Sequence, residues 1–254
     1  MSIYIITHKK VELPKGKDYK FLLVGANKGH IFGDCYDDTG DNISEKNKNY
    51  CELTGLYWIW KNIFDEYIGL VHYRRFFFES FNKKKILSFE HAKRFLNHYD
   101  MILPFHCNLK STVKEQYCEK SGFEKDLILV REIIHSRCPE YIEDYDQVMN
   151  QNFVYFSNMM ITRKKILDDY CQWLFRILGD LEKKVDVSSY NAYQKRIFGF
   201  LSERLLTVYV KHNNFKVCEL GIANTEEKLS LVQYCLTGLR RKVNFCIKLL
   251  RTVK

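Results

Sequence analysis

An α/β fold layered around a mostly parallel central sheet is what these 254 residues predict. Three observations carry that expectation. Short β-branched apolar runs recur along the chain, and segments with apolar residues at helical spacing separate them. The runs are also apolar at consecutive positions, as strands covered on both faces require. Regular alternation of strand and helix within this length places residues 1–220 in one globular domain, with 221–254 as an appended tail.

The elements follow in order. Ile3–Thr7 is the first strand and ends in Thr7, His8 and Lys9; Phe21–Val24 is the second. The stretch from Asp34 to Asn49, rich in Asp, Asn and Gly, is a loop, and apolar residues at 53, 56, 57, 60, 63 and 64 make a helix over Asn49–Asn62. Tyr67–Val71 is a buried strand that delivers His72, Tyr73, Arg74 and Arg75. A helix over Phe89–Asn97 and a strand over Met101–Leu103 come next, and Thr112–Asn150 is mainly helical. Phe153–Phe156 and Met159–Ile161 are strand-like, and long helices cover Lys164–Lys183 and Tyr190–His212. Phe215–Leu220 returns as a late strand, and Leu236–Lys254 is a helix with one apolar and one basic side.

Composition narrows the function classes. With 46% hydrophobic residues and only 3 prolines the chain is a packed globular protein, not a low-complexity one. Nine cysteines without Cys-x-x-Cys spacing speak against a disulfide framework or a zinc site, and free thiols fit a reducing compartment. The chain enters its first strand without a charged leader and has no apolar run of roughly 18 residues, so a cytoplasmic location is expected. The net charge of +9 implies an acidic partner. Nucleic acid is the weakest choice, because no recognised motif accompanies the charge. There is no phosphate-cradling Gly-x-x-x-x-Gly-Lys sequence, which argues against a P-loop ATPase or kinase.

Three stretches carry candidate chemistry. In the first, His72, Tyr73, Arg74 and Arg75 are a dense set of donors for phosphate oxygens, with arginine giving planar bidentate contacts; surface ion pairs at a strand end are the alternative. In the second, Asp41, Asn42, Ser44, Asn47, Glu52, Trp60 and Lys61 mix aromatic faces with amides and charges, as a sugar or nucleotide site needs. Leu53, Leu56, Tyr57 and Trp60 also sit at helical core spacing, which leaves a purely structural reading open. In the third, Arg196 and Glu203 lie two helical turns apart and face one side, whereas the neighbours Glu203 and Arg204 are not expected to share a face. Glu203 is either a general base or one half of an internal salt bridge. Asp144-Tyr145-Asp146 lies in a helical setting and reads as a solvated face, as do Asp37 with Asp38 and Asp168 with Asp169. His212 reads as a helix-terminal residue. The basic tail, with Arg240, Arg241, Lys242, Lys248 and Arg251, either lies on an anionic bilayer or docks on protein.

The segments DNISEKNKNYCELTGLYWIWKN (Asp41–Asn62) and YIGLVHYRRFF (Tyr67–Phe77) resemble a bacterial family of capsular and exopolysaccharide glycosyltransferases known as a domain of unknown function. DLILVREIIHSRCP, NMMITRK, YCQWLFRIL and QKRIFGFLSERLLTV continue the resemblance through residues 1 to about 220. It implies a sugar-nucleotide-dependent transferase with a GT-A-like (Rossmann-like) core; the expected reaction is an inverting transfer of a hexose from a UDP-sugar to a lipid-linked glycan, with the basic tail holding the protein at the inner membrane face. Related folds place a metal-binding Asp-x-Asp where this sequence has His72–Arg75. No acidic pair stands there, so neither magnesium nor manganese is firmly implied. By the same resemblance Thr7, His8 and Lys9 lie near the nucleoside, Asn158 lies near the sugar or acceptor, and Glu203 is the base. A catalytically silent nucleotide- or glycan-binding module is the competing reading.

Overall fold

The computed structural model describes residues 2–9, 18–25, 32–78 and 86–224. Six strands run in one direction: β1 (Ser2–Thr7), β2 (Tyr19–Leu23), β3 (Cys35–Tyr36), β4 (Tyr67–His72), β6 (Met101–Pro104) and β10 (Val217–Leu220). β9 (Met160–Arg163) inserts antiparallel between β4 and β6, giving the order β10-β6-β9-β4-β1-β2-β3. Ile3 to Thr7 of β1 align with Tyr19 to Leu23 of β2 on one side, and Ser2 to Ile6 align with Ile68 to His72 of β4 on the other. β5 (Arg75–Phe77) and β11 (Ile222–Asn224) form an antiparallel extension beside β4, so the sheet continues to Asn224 rather than stopping at residue 220. A two-stranded ribbon, β7 (Cys107–Asn108) with β8 (Phe153–Val154), sits apart.

Alternation along the strands builds two cores. Tyr4, Ile6, Leu22, Leu70, Met101 and Leu103 face a large helical layer: α2 (Leu53–Asn62), α5 (Glu124–Arg137), α6 (Ile142–Asn150), α7 (Lys164–Glu182) and α8 (Ile197–His212). Ile3, Ile5, Val71, Ile102 and Ile161 face the opposite side, covered by α3 (Phe89–Leu96) together with Phe76 and Phe77. The remaining helices are α1 (Asn47–Tyr50) and α4 (Val113–Lys120), the latter closed at its N-terminus by a Thr112–Glu115 capping box. At Gly69, a Cβ would lie 2.8 Å from Cγ1 and 3.0 Å from Cγ2 of Ile3 on the neighbouring strand. A β-branched side chain cannot swing away from such a contact. Gly69→Ala is therefore expected to lower stability by about 1–3 kcal/mol, read as a falling denaturation midpoint at constant m value.

Several sequence expectations change. The helix over 49–62 is two helices, because Cys51 takes a left-handed backbone (φ +53°) that breaks the spiral before Leu53. Asn47 bridges the break, its amide donating to Cys51 O at 2.8 Å and Thr54 Oγ1 at 2.9 Å. The helix over 190–212 begins only at Ile197. Asn191 Oδ1 accepts from the backbone N–H groups of Tyr193 and Gln194, winding 194–196 into a 3₁₀ turn instead. Among the described residues no helix is long and apolar enough to cross a membrane. The predicted tail helix at 236–254 lies outside the described residues.

Candidate active site

All the parallel strands end at one edge of the sheet, and antiparallel β9 begins there. In α/β sheets this carboxyl edge is where ligands gather. The chain path therefore assembles Thr7–Lys9, Gly25, Asp37, His72–Arg75, His106 and Ser157–Asn158 along one line.

At the β1 end, Thr7 is buried; its hydroxyl bonds the Lys9 carbonyl and accepts from the Lys9 amide at 3.1 Å. The Tyr73 ring gathers the neighbouring charges. His8 meets it edge-on at 5.1 Å, Lys9 Nζ lies 4.8 Å from its centroid and the Arg74 guanidinium 5.4 Å. One loop further, Gly25 at φ +91° donates its N–H to Asp37 Oδ1 at 3.1 Å. Asp37 is 1% exposed and also accepts from Ser44 Oγ at 2.5 Å. Burial raises its carboxyl pKa, against the pull of these donors. Asp37 is thus a buried pin for the loop, not the solvated carboxylate its Asp-Asp context suggested.

The centre of the edge is a corner of two consecutive left-handed residues, Ser157 (φ +84°) and Asn158 (φ +48°). The Asn158 amide nitrogen donates to Glu52 Oε1 at 2.8 Å, Ser202 Oγ at 2.8 Å and Gly199 O at 3.2 Å, which ties α2, α8 and β9 together. Arg75 Nη1 reaches Ser157 Oγ at 3.2 Å, and the Ser157 N–H donates to Glu203 Oε1 at 2.8 Å. Arg75 makes no salt bridge with the described carboxylates. Two buried polar atoms here, His72 Nε2 and Asn158 Oδ1, have no hydrogen-bond partner among the described residues.

Glu203 is held from both sides. Its Oε2 accepts from Arg204 Nη1 at 2.9 Å, a pairing between neighbours that helical spacing argued against. It forms because the Arg204 side chain curls back along α8 to Phe200 O at 2.8 Å and on to Gln116 Oε1 at 2.5 Å. Arg204 is 1% exposed and lies between the Tyr117 and Phe156 rings. Burial pushes the Glu203 carboxyl up to about 7, and the Glu52 charge adds to this, while Arg204, the Ser157 amide and Arg75 oppose it. Desolvation wins over the guanidinium. For His72, burial lowers the pKa, and Arg75 and Arg74 push the same way. The positive charge of the His-Tyr-Arg-Arg run therefore resides on its arginines.

Other predicted site residues lie elsewhere. α2 leads away from the edge, so its last turn is roughly 15 Å from Glu52. There Trp60 stacks on Phe175 at 5.7 Å, Lys61 Nζ sits 3.7 Å above Trp60, and Asp41 accepts from Tyr57 Oη at 3.1 Å. Asn42 is spent on its own loop, bonding Gly40 O and the Ser44 amide, and Ser44 and Asn47 serve the turns described above. Arg196 stays near the centre, its Nε 3.2 Å from Cys51 Sγ. Asp146 pairs bidentately with Arg131 at 2.7 Å, and Asp144 pairs with His212 at 2.9 Å.

Beyond Asp37 and Arg204, sequence reasoning missed His106, which follows β6 and pairs with Glu219 of β10. The signal was a histidine two residues past a strand end. The donors after β4 are an imidazole, a phenol and two guanidiniums, a set that attracts anions and offers no carboxylate to a divalent cation. Among the described residues no group of three or more His, Cys, Asp and Glu side chains is arranged to hold a metal.

The fold is shared with a solved structure, the apo form of WbbM, a bifunctional glycosyltransferase, at 32% identity and a TM-score of 0.82. The match covers 89% of this chain and 45% of that one, so the chain spans less than half the length of its structural relative. No curated protein matches the chain. The family model described as a domain of unknown function, DUF4422, matches residues 2–214, and the chain belongs to that family.

Proposed function

We propose that the chain is a glycosyltransferase that moves a hexose from a nucleotide sugar, a UDP-sugar, onto a lipid-linked glycan in capsular or exopolysaccharide synthesis. The observation that carries this reading is the meeting of Arg75 and Glu203 on either side of Ser157, at the carboxyl edge of the sheet. Likeness to WbbM, itself a glycosyltransferase, supports it.

In this mechanism Thr7, His8 and Lys9 line the nucleoside end, and Arg74 and Arg75 face the diphosphate. As the glycosidic bond breaks, the leaving diphosphate gains negative charge, which fixed guanidiniums stabilise more in the transition state than before it. Glu203 takes the proton of the acceptor hydroxyl, which then attacks the anomeric carbon from the face opposite the leaving group, inverting it. With the guanidiniums in that role, turnover is expected to persist in EDTA.

The silent-module reading is favoured by one observation: both Glu203 oxygens already accept protein hydrogen bonds. Mass spectrometry of products from a pooled sugar-nucleotide and acceptor assay separates the two. Hexose-bearing product supports transfer, whereas UDP binding without transfer or hydrolysis supports the module. Peripheral attachment to the inner membrane face through the basic tail belongs to the same proposal, and undiminished binding to anionic liposomes after removal of residues 238–254 would refute it.

A further inference from the structure

We infer that His106 and Phe153 form an acceptor-sugar subsite, a place for a hexopyranose ring near Glu203; this rests on the transferase reading above. His106 Nδ1 lies 2.6 Å from Glu219 Oε1, and its backbone N–H donates to the same oxygen at 3.3 Å. Tyr155 adds a side-chain hydrogen bond to Glu219. A carboxylate on Nδ1 fixes the orientation of the ring and leaves Nε2 to make a hydrogen bond with a hydroxyl. The His106 side chain is 36% exposed, and its Nε2 has no partner among the described residues. Phe153 packs edge-on to the imidazole at 5.3 Å and is 37% exposed. An open aromatic face beside an oriented polar atom is what a pyranose needs, since its C–H patch covers the ring while its hydroxyls are read by polar atoms.

The location follows from backbone contacts. The Tyr155 N–H donates to Thr207 Oγ1 at 3.1 Å, and Thr207 Oγ1 donates to the Glu203 carbonyl at 3.3 Å, one turn back on α8. Two residues on from Tyr155, Ser157 donates to the Glu203 carboxylate. Phe153 lies four residues before Ser157, so the subsite stands within about 13 Å of extended chain of the carboxylate, a distance that an acceptor of one or two sugar rings spans. In the strand order β9 stands between β6, which His106 follows, and β4, which Arg74 and Arg75 follow, so the subsite and the arginines flank the Ser157 corner that precedes β9.

Saturation-transfer NMR on the full chain, with methyl β-glucopyranoside and methyl β-galactopyranoside as probes and UDP as control, tests the assignment. At least one hexoside is expected to bind the unaltered protein. Phe153→Ala and His106→Ala should each weaken it about tenfold, with UDP affinity held within about twofold. Absence of hexoside binding in the unaltered chain, or equal binding in both variants, overturns the subsite. UDP binding is read separately: its absence sinks the donor-site reading, while the hexoside data still decide this one.

Discussion

Alanine in place of Arg75 is expected to cut the rate of sugar transfer by about 10²- to 10³-fold while the protein stays folded. Arg75 begins β5, and its backbone pairs with Asn224 and His72, so truncating the side chain leaves the ladder intact. What disappears is a fixed cation whose bond in the free protein is to a serine hydroxyl, not to a carboxylate, so little native stabilisation goes with it. The loss should fall mainly on kcat, because the charge is needed most as the diphosphate departs. Arg75→Lys should recover only part of the rate, since an ammonium offers no planar fork to two phosphate oxygens. Transfer by Arg75→Ala within about threefold of the unaltered enzyme would remove the guanidinium from the mechanism.

Glu203→Gln is expected to lower kcat by about 10²- to 10⁴-fold and to erase the acid limb of the pH profile. The sign follows from burial. A base must be ionised to accept a proton, and burial holds the Glu203 carboxyl protonated up to about pH 7. The kcat/KM of the unaltered enzyme should therefore fall about tenfold per pH unit below 7 and level off above it. In the glutamine variant the profile should be flat through that range. The Ser157 N–H and Arg204 meet different oxygens of Glu203, and in the amide one of these becomes an NH2 that cannot accept, so one donor loses its partner at a cost of about 1–3 kcal/mol. Rates are best compared at a temperature where both proteins are folded. An acid limb that persists in Glu203→Gln would assign the ionisation to another group.

The sequence made the strands legible and the edges only partly so. Runs such as Ile3–Thr7 and Tyr67–Val71 are apolar at successive positions, and a strand end followed by Thr-His-Lys or His-Tyr-Arg-Arg points to the carboxyl edge once the sheet is parallel. Periodicity says which face a helical residue takes but not which end of the helix is near the site. That is why Trp60 and Lys61 were grouped with Glu52 although one helix length separates them. Asp37 escaped because an Asp-Asp pair among turn residues looks solvated, and its burial depends on Gly25 and Ser44, which come from separate loops. The Glu203–Arg204 pair escaped because spacing rules treat side chains as radial spokes, whereas a long guanidinium can fold back along its own helix. Neither the break at Cys51 nor the late start of α8 follows from residue preference; both come from side chains that bond across the bend.

The left-handed turn at Ser157 and Asn158 has one more effect. Because the amide that meets Glu203 belongs to the main chain, its dipole is aimed before any ligand arrives and need not rotate when the carboxylate gains or loses its proton. Proton affinity at this position is accordingly written into the path of the polypeptide, and exchanging the serine side chain would leave that part of it untouched.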